Sequence, residues 1–304
     1  MTLVHVNNSQ HIEKGIAFMV IAMLMLPCID AIAKAVSSHV ASGQVVWSRF
    51  FFQSLFLLPF VFRQGQGFYI VKPWLHVARG VLIATATLFF FSALKYLPIA
   101  DSIAIFFVEP LILTLLSAVF LKETIGWRRI TAVLVGFVGA LIVIRPGYAV
   151  FGSVALLPLA AAVSFACYMV LTRTLAQIQS AVSMQFYAGI FGVLMMTAAL
   201  ALGNNFGIEV LTPVWPTAQE WLLLLLLGII ATTGHMFVVN AMRLAPANVL
   251  APFQYLEIIS ATILGFIFFN DFPDPTTWLG VAIIVGSGVF VYYRERLAAR
   301  AQPT

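Results

Sequence analysis

Two carboxylates stand where a carboxylate is costly. Glu109 lies in AIFFVEPLILTLLSAVFLKE (104–123) and Glu257 in PFQYLEIISATILGFIFFND (252–271). Each stretch has about the 20 apolar residues that a bilayer crossing requires. The second copy follows the first by 148 residues, and the same offset sets Thr262 on Thr114, Leu264 on Leu116, Phe268 on Phe120 and Asp271 on Glu123. An acid at the centre of a membrane helix costs roughly 2.5–3.5 kcal/mol on insertion scales. Two facing lipid would cost about 5–7 kcal/mol together, comparable to a domain's net stability of about 5–15 kcal/mol. Both must therefore face the interior. There a carboxylate can bind a cation, carry a proton, or hydrogen-bond a helix start across the axis relating the copies. Pro110 cannot donate to the Phe106 carbonyl, which is left free to face a cavity. Ile258 stands at the matching place, so the proline break is expected in the first copy alone.

Other polar residues share these apolar surroundings. Asp30 and Lys34 are four apart and share one helical face. They form either a gated pair in a pathway or a deep acid with a lysine that merely snorkels to the membrane surface. Pro27, one turn earlier, allows a bend. Arg49 and Gln53 form a polar face, with Arg49 serving a fold-stabilising ion pair or touching a solute. His235, Asn240, Gln254 and Tyr255 are polar where the first copy has Thr87, Ser92, Phe106 and Phe107. Such asymmetry points to recognition, with Tyr168 and Phe89 to Phe91 as aromatic walls. A histidine in an apolar span either packs neutral or, with an ordinary pKa of about 6.5, carries a proton. Cys28 and Cys167 read as small core residues, and no metal or cofactor site is expected. The sequence has no His-Glu-x-x-His pair, no Gly-x-Ser-x-Gly elbow, no aspartate-rich cluster and no Walker loop. An enzyme is thus not expected, nor direct drive by ATP.

The elements that must position these residues are membrane helices. The chain is 62% hydrophobic and 9% charged, against about 25% charged in a soluble domain. Ten spans emerge, at 15–37, 44–62, 75–96, 99–121, 128–145, 152–172, 180–202, 219–242, 247–269 and 276–293. All six tryptophans lie near span ends, as an interfacial belt does. With the N-terminus inside, the cytoplasmic face collects Lys14, Arg63, Lys72, Arg79, Lys122, Arg128, Arg129, Arg173, Arg243, Arg294, Arg296 and Arg300. The other face holds only Lys34, Arg49, Lys95 and Arg145, with the acids Asp101, Glu209, Glu220, Asp271 and Asp274. That bias places both termini in the cytoplasm. The net charge of +5 is a topology signal, and no nucleic-acid partner is expected. Ala93–Pro98 matches Ala241–Pro246, yet the two joints fall on opposite faces, because five spans separate them. The result is an all-α membrane protein with a 5+5 inverted-topology repeat. Such repeats recur in secondary transporters, with the binding site near the midplane. Gly136, Gly139, Gly280, Gly286 and Gly288 permit close helix contact, and a homodimer through spans 5 and 10 is one use of that pattern.

The residues 78–147, together with WSRFFFQSLFLLPF (47–60) and GVAIIVGSGVFVYYRER (280–296), resemble the EamA unit of the drug/metabolite transporter superfamily. The resemblance covers nearly the whole chain. It implies a cytoplasmic tail (1–14), a first repeat (15–147), a second repeat (152–293) and a cytoplasmic tail (294–304), in a bacterial inner membrane. It also implies a cavity lined by spans 1, 3, 4, 6, 8 and 9 and carriage of a small organic solute. The chain is most similar in flavour to S-adenosylmethionine and amino-acid carriers. A pathway of three acids against one or two bases suits a zwitterionic or cationic metabolite. Proton coupling or exchange is expected, with Glu257, joined by His235, as the proton carrier and Asp30 held charged by Lys34. A passive channel is the main alternative, and an intramembrane enzyme the lesser one.

Overall fold

The computed structural model describes residues 2–63, 70–121, 127–144, 152–176, 178–245, 250 and 253–301. Lys122, Glu123, Arg145 and Pro246, on which parts of the charge and repeat argument rest, lie outside them. The described residues form helices and connecting turns with no strand: α1 (Thr2–Val36), α2 (Ser42–Arg63), α3 (Pro73–Leu94), α4 (Ile99–Phe106), α5 (Glu109–Leu121), α6 (Trp127–Ile144), α7 (Leu156–Ala176), α8 (Ala181–Asn205), α9 (Ala218–Leu244), α10 (Leu256–Phe269) and α11 (Pro275–Ala301). Six are long and apolar enough to cross a membrane: α1, α2, α3, α7, α8 and α9. Shorter apolar helices supply the rest of the ten-span fold. Only helices can do this in lipid, because every backbone polar group must be satisfied within its own segment.

Local chemistry sets the ends. Ser180 accepts from the Ser183 amide at the start of α8, and Thr217 with Glu220 forms a reciprocal capping box at the start of α9. Helix α10 stops at Asn270, whose φ of 56° is the left-handed conformation asparagine tolerates. The Asp271 amide then bonds back to the Gly265 carbonyl at 3.0 Å. Helix α1 runs unbroken through Pro27 and begins among polar residues at Thr2, so the first span is continuous with the N-terminal tail.

The fourth span breaks where expected. Helix α4 ends at Phe106, Phe107 closes it with φ −64° and ψ 0°, and Val108 receives the Leu111 and Ile112 amides as α5 begins. Pro110 falls in the first turn of α5, where a missing N–H costs nothing. The ninth span corrects the sequence reading. Residues 253–254 are helical, Tyr255 turns, and α10 starts at Leu256, although Ile258 replaces the proline. The turn falls where the Tyr255 ring meets the Phe107 ring edge-on, centroids 5.5 Å apart. These two residues are 148 apart, so the breaks of the two copies touch each other.

Contacts between the halves come in mirrored pairs. Helix α1 packs on α9 as α3 packs on α7, α1 on α10 as α5 on α7, and α2 on α9 as α3 on α8. Helix α2 meets α8 and α6 meets α11, each its own mirror image, while the fourth and ninth spans meet through α4 and α10. This pattern is what an approximate two-fold between the repeats produces. The small residues of α6 and α11 are used inside the chain: a methyl on Gly139 would meet the Gly280 carbonyl at 3.0 Å, and one on Gly136 would meet Ser287 Oγ at 2.8 Å. Gly286 has nothing within 4 Å.

Candidate functional site

The polar residues of the interior gather where α1, α2, α3, α7, α9 and the start of α10 converge. Helix α1 carries Asp30, 8% exposed, and α2 carries Arg49, also 8% exposed. Arg49 Nη1 donates to Thr87 Oγ1 at 2.8 Å, and Nη2 lies 3.5 Å from His235 Nε2. Thr87 and His235 are themselves mirror positions, 148 apart, so both halves close on one guanidinium. The guanidinium also lies 5.2 Å from the Phe50 ring centroid. His235 Nδ1 is 2.8 Å from the Ala231 carbonyl, which can only accept. The proton therefore sits on Nδ1, and Nε2 offers its lone pair to Arg49. Protonating Nε2 would set two cations face to face, so His235 holds an acceptor's place and not a proton carrier's.

Asp30 is within electrostatic reach of Arg49 and of Glu257, yet forms no ion pair with Arg49. Glu257 stands in the first turn of α10, half-buried, and Glu109 heads α5, 8% exposed. Each acid thus sits at a half-helix start, where the backbone N–H groups favour negative charge. Glu257 has Asp30 as its charged neighbour. Gln254, half-buried, makes no hydrogen bond among the described residues. Asn240 turns to its own helix, donating to the Met236 carbonyl at 2.8 Å, and does not join the cluster.

Two ion-pair expectations change. Lys34 does not pair with Asp30. Its Nζ reaches Asp271 at 2.6 Å and the Leu97 carbonyl at 2.9 Å. The αL stop of α10 presents Asp271 there, and an extended lysine reaches it more readily than a neighbour one turn back on its own helix. The grounds for holding Asp30 charged through Lys34 therefore fall away, and Arg49 is the nearby cation. Arg49 in turn forms no ion pair among the described residues, and its Nε has no hydrogen-bond partner.

Arg79, one of the charges counted on the cytoplasmic face and lying within the 75–96 span, is 1% exposed inside α3. Its Nε donates to Thr172 Oγ1 at 3.0 Å, Nη1 to the Met184 carbonyl at 3.1 Å and Nη2 to Tyr168 Oη at 3.0 Å. Its guanidinium lies 4.8 Å from the Tyr168 ring centroid. Tyr168 donates onward to Gln185 Oε1 at 3.3 Å, while Gln53 donates to the Gln185 carbonyl. The signal was legible: Pro73 and Trp74 mark a helix start at the interface, which puts Arg79 more than one turn inside. Eleven basic residues against four still remain for the charge bias. Asp101 likewise is buried in the first turn of α4, not in a loop.

An aromatic wall borders this network. Phe90 meets Phe106, Phe106 meets Phe165, and Phe165 meets Tyr168, with centroids 5.4–5.5 Å apart. Phe91 instead lies in the core. One face of the bundle is also latched: besides Lys34–Asp271, Lys95 pairs with Glu209 at 2.6 Å, His39 with Glu220 at 2.9 Å, and Gln44 exchanges two hydrogen bonds with Val214. The Lys95 ammonium holds the exposed Glu209 carboxyl below its ordinary pKa. Every one of these contacts joins the first repeat to the second.

Comparison with known proteins agrees with this architecture. The chain is similar to an S-adenosylmethionine uptake transporter of Rickettsia bellii, 30% identical over 285 residues, covering 93% of this chain and 95% of that one. It is similar to a riboflavin transporter of Rhizobium johnstonii, 27% identical, covering 92% and 91%. A pseudopaline exporter of Pseudomonas aeruginosa is 26% identical, covering 90% and 94%. One solved crystal structure shares the fold, with a TM-score of 0.63 at 21% identity, covering 92% of this chain and 97% of that one. Residues 13–145 and 152–293 each match the model of one family, and a multi-pass bundle with mirrored halves is what that match requires: the chain belongs to the EamA-like transporter family.

Proposed function

We propose that this protein is a secondary carrier for a small zwitterionic or cationic metabolite, working by alternating access in the bacterial cytoplasmic membrane with both termini inside. Transport of a small metabolite is the common activity of the family and of the named relatives. The observation that carries the finer reading is the pairing of Asp30 with Glu257. Two carboxylates within electrostatic reach of each other, one from each repeat, favour a cationic group on the solute, and the chain of rings Phe106–Phe165–Tyr168 suits a ring on it. An amino acid or an S-adenosylmethionine-like compound has that chemistry; riboflavin supplies the ring without the cation.

A carrier is favoured over a channel because one face is tied shut across the repeats by Lys34–Asp271 and Lys95–Glu209. With no nucleotide-binding loop, uphill movement must draw on an ion gradient or on exchange. Glu257 is the proposed proton carrier, since its charged neighbour is another acid and not a base.

The test is a thermal-shift screen of purified protein with S-adenosylmethionine, the standard amino acids and riboflavin. A ligand that binds only the folded state raises the melting temperature. Hits then enter counterflow in proteoliposomes. Saturable, substrate-stimulated counterflow of a cationic or zwitterionic hit supports the reading. Unsaturable flux would mean a channel, and a shift from riboflavin alone would overturn the substrate class.

A further inference from the structure

The least explained charge in the interior is Arg49. It is more than nine-tenths buried and reaches the mirrored pair Thr87–His235 with its two terminal nitrogens. Burying a guanidinium is tolerated when a carboxylate closes on it with good geometry. Here two neutral groups take one donor each, Nε takes none, and Asp30 feels the charge without touching it. An internal ion pair that is held open in this way wastes its Coulombic gain unless something completes it. Contrast Arg79, also buried, whose Nε and both terminal nitrogens are engaged by Thr172, Met184 and Tyr168. Arg79 is finished by the protein; Arg49 is not.

We propose that Arg49 is the subsite for a carboxylate of the transported solute, and that Asp30 takes a cationic group on the same molecule. This rests on the carrier reading above and deepens it. An amino-acid head group has its carboxylate and ammonium two bonds apart on one carbon. Inserted between Arg49 and Asp30, it turns one long, open pair into two short ones. The site therefore offers one base and one acid to the two ends of an amino-acid head group. Thr87 and His235 fix the guanidinium plane from the two repeats, so the orientation of the fork depends on how the halves pack. That coupling gives a bound carboxylate a means of favouring one arrangement of the repeats over the other.

The experiment measures binding to the full-length protein by thermal shift and calorimetry, with three probes that form a charge series. S-adenosyl-L-methionine has two cationic groups and a carboxylate, its decarboxylated analogue lacks the carboxylate, and S-adenosylhomocysteine lacks the sulfonium. Wild-type protein is expected to prefer S-adenosylmethionine over the decarboxylated analogue by about tenfold or more, the value of one charge-assisted hydrogen bond. In Arg49→Gln that preference should fall to within about twofold, with the decarboxylated analogue's affinity unchanged; Arg49→Lys should keep part of it. Equal wild-type affinity for the two overturns the assignment to Arg49 and needs no variant to fold. So does a preference that survives Arg49→Gln. If none of the three probes binds wild type, the S-adenosylmethionine-like reading fails, and this proposal with it.

Discussion

Cutting the Lys34 latch should open the face that it closes, and the size of the effect follows from its contacts. Lys34 Nζ meets Asp271 at 2.6 Å and the Leu97 carbonyl at 2.9 Å, with side chains 16% and 28% exposed. A partly exposed ion pair is worth about 0.2–1 kcal/mol. The hydrogen bond to Leu97 adds about 0.5–1.5 kcal/mol. Lys34→Met removes both, and with them the approach of the ammonium to the Phe269 ring, 5.1 Å from its centroid, while keeping an unbranched apolar side chain. Closure at this face should therefore weaken by about 1–2 kcal/mol, which multiplies the open population by about 5–30. The reporter is a cysteine at Ser102, 0% exposed in α4, five residues beyond Leu97, in a protein whose Cys28 and Cys167 are replaced. Its modification by a membrane-impermeant maleimide should accelerate by that factor in Lys34→Met. Asp271→Asn should accelerate it less, because Lys34 keeps the Leu97 carbonyl. The double variant should go no further than Lys34→Met alone, since both changes remove one interaction. An unchanged rate in Lys34→Met, or effects that simply add, would refute the latch.

Three other outcomes are expected. Glu257→Gln should retain counterflow and lose accumulation driven by a pH gradient, while Glu109→Gln, at the start of α5, should chiefly lower yield; uptake assays on both decide, and the reverse pattern defeats the assignment. A cysteine at Asn204 should be labelled only from outside intact cells, and labelling from the cytoplasmic side alone would invert the topology. Gly280→Leu should overpack α6 against α11, because even a methyl there would collide with Val143 and meet the Gly139 carbonyl at 2.8 Å. A loss of about 1–3 kcal/mol, seen as a lower melting temperature, is the ordinary cost of such crowding; an unchanged melting temperature would mean that the interface yields.

The sequence by itself determined the membrane class, the spans, the repeat and the inward turn of Glu109 and Glu257. These follow from one strong constraint. Lipid offers no hydrogen bonds, so each crossing must be a self-contained apolar helix that can be read locally, and a charge within it must be hidden. What only the tertiary structure decided was which polar groups meet. Asp30 and Lys34 share a helix face, but in a packed bundle Asp271, 237 residues away, is the nearer partner for the lysine. The second helix break occurs without a proline, where Tyr255 meets Phe107 across the two copies. Arg79 counts by sequence as a cytoplasmic-face charge, but the packing of α3 on α7 and α8 encloses it. Spacing along one helix fixes a direction, whereas a partner on another helix is fixed by the register in which the two repeats pack, and that register is a property of the whole bundle.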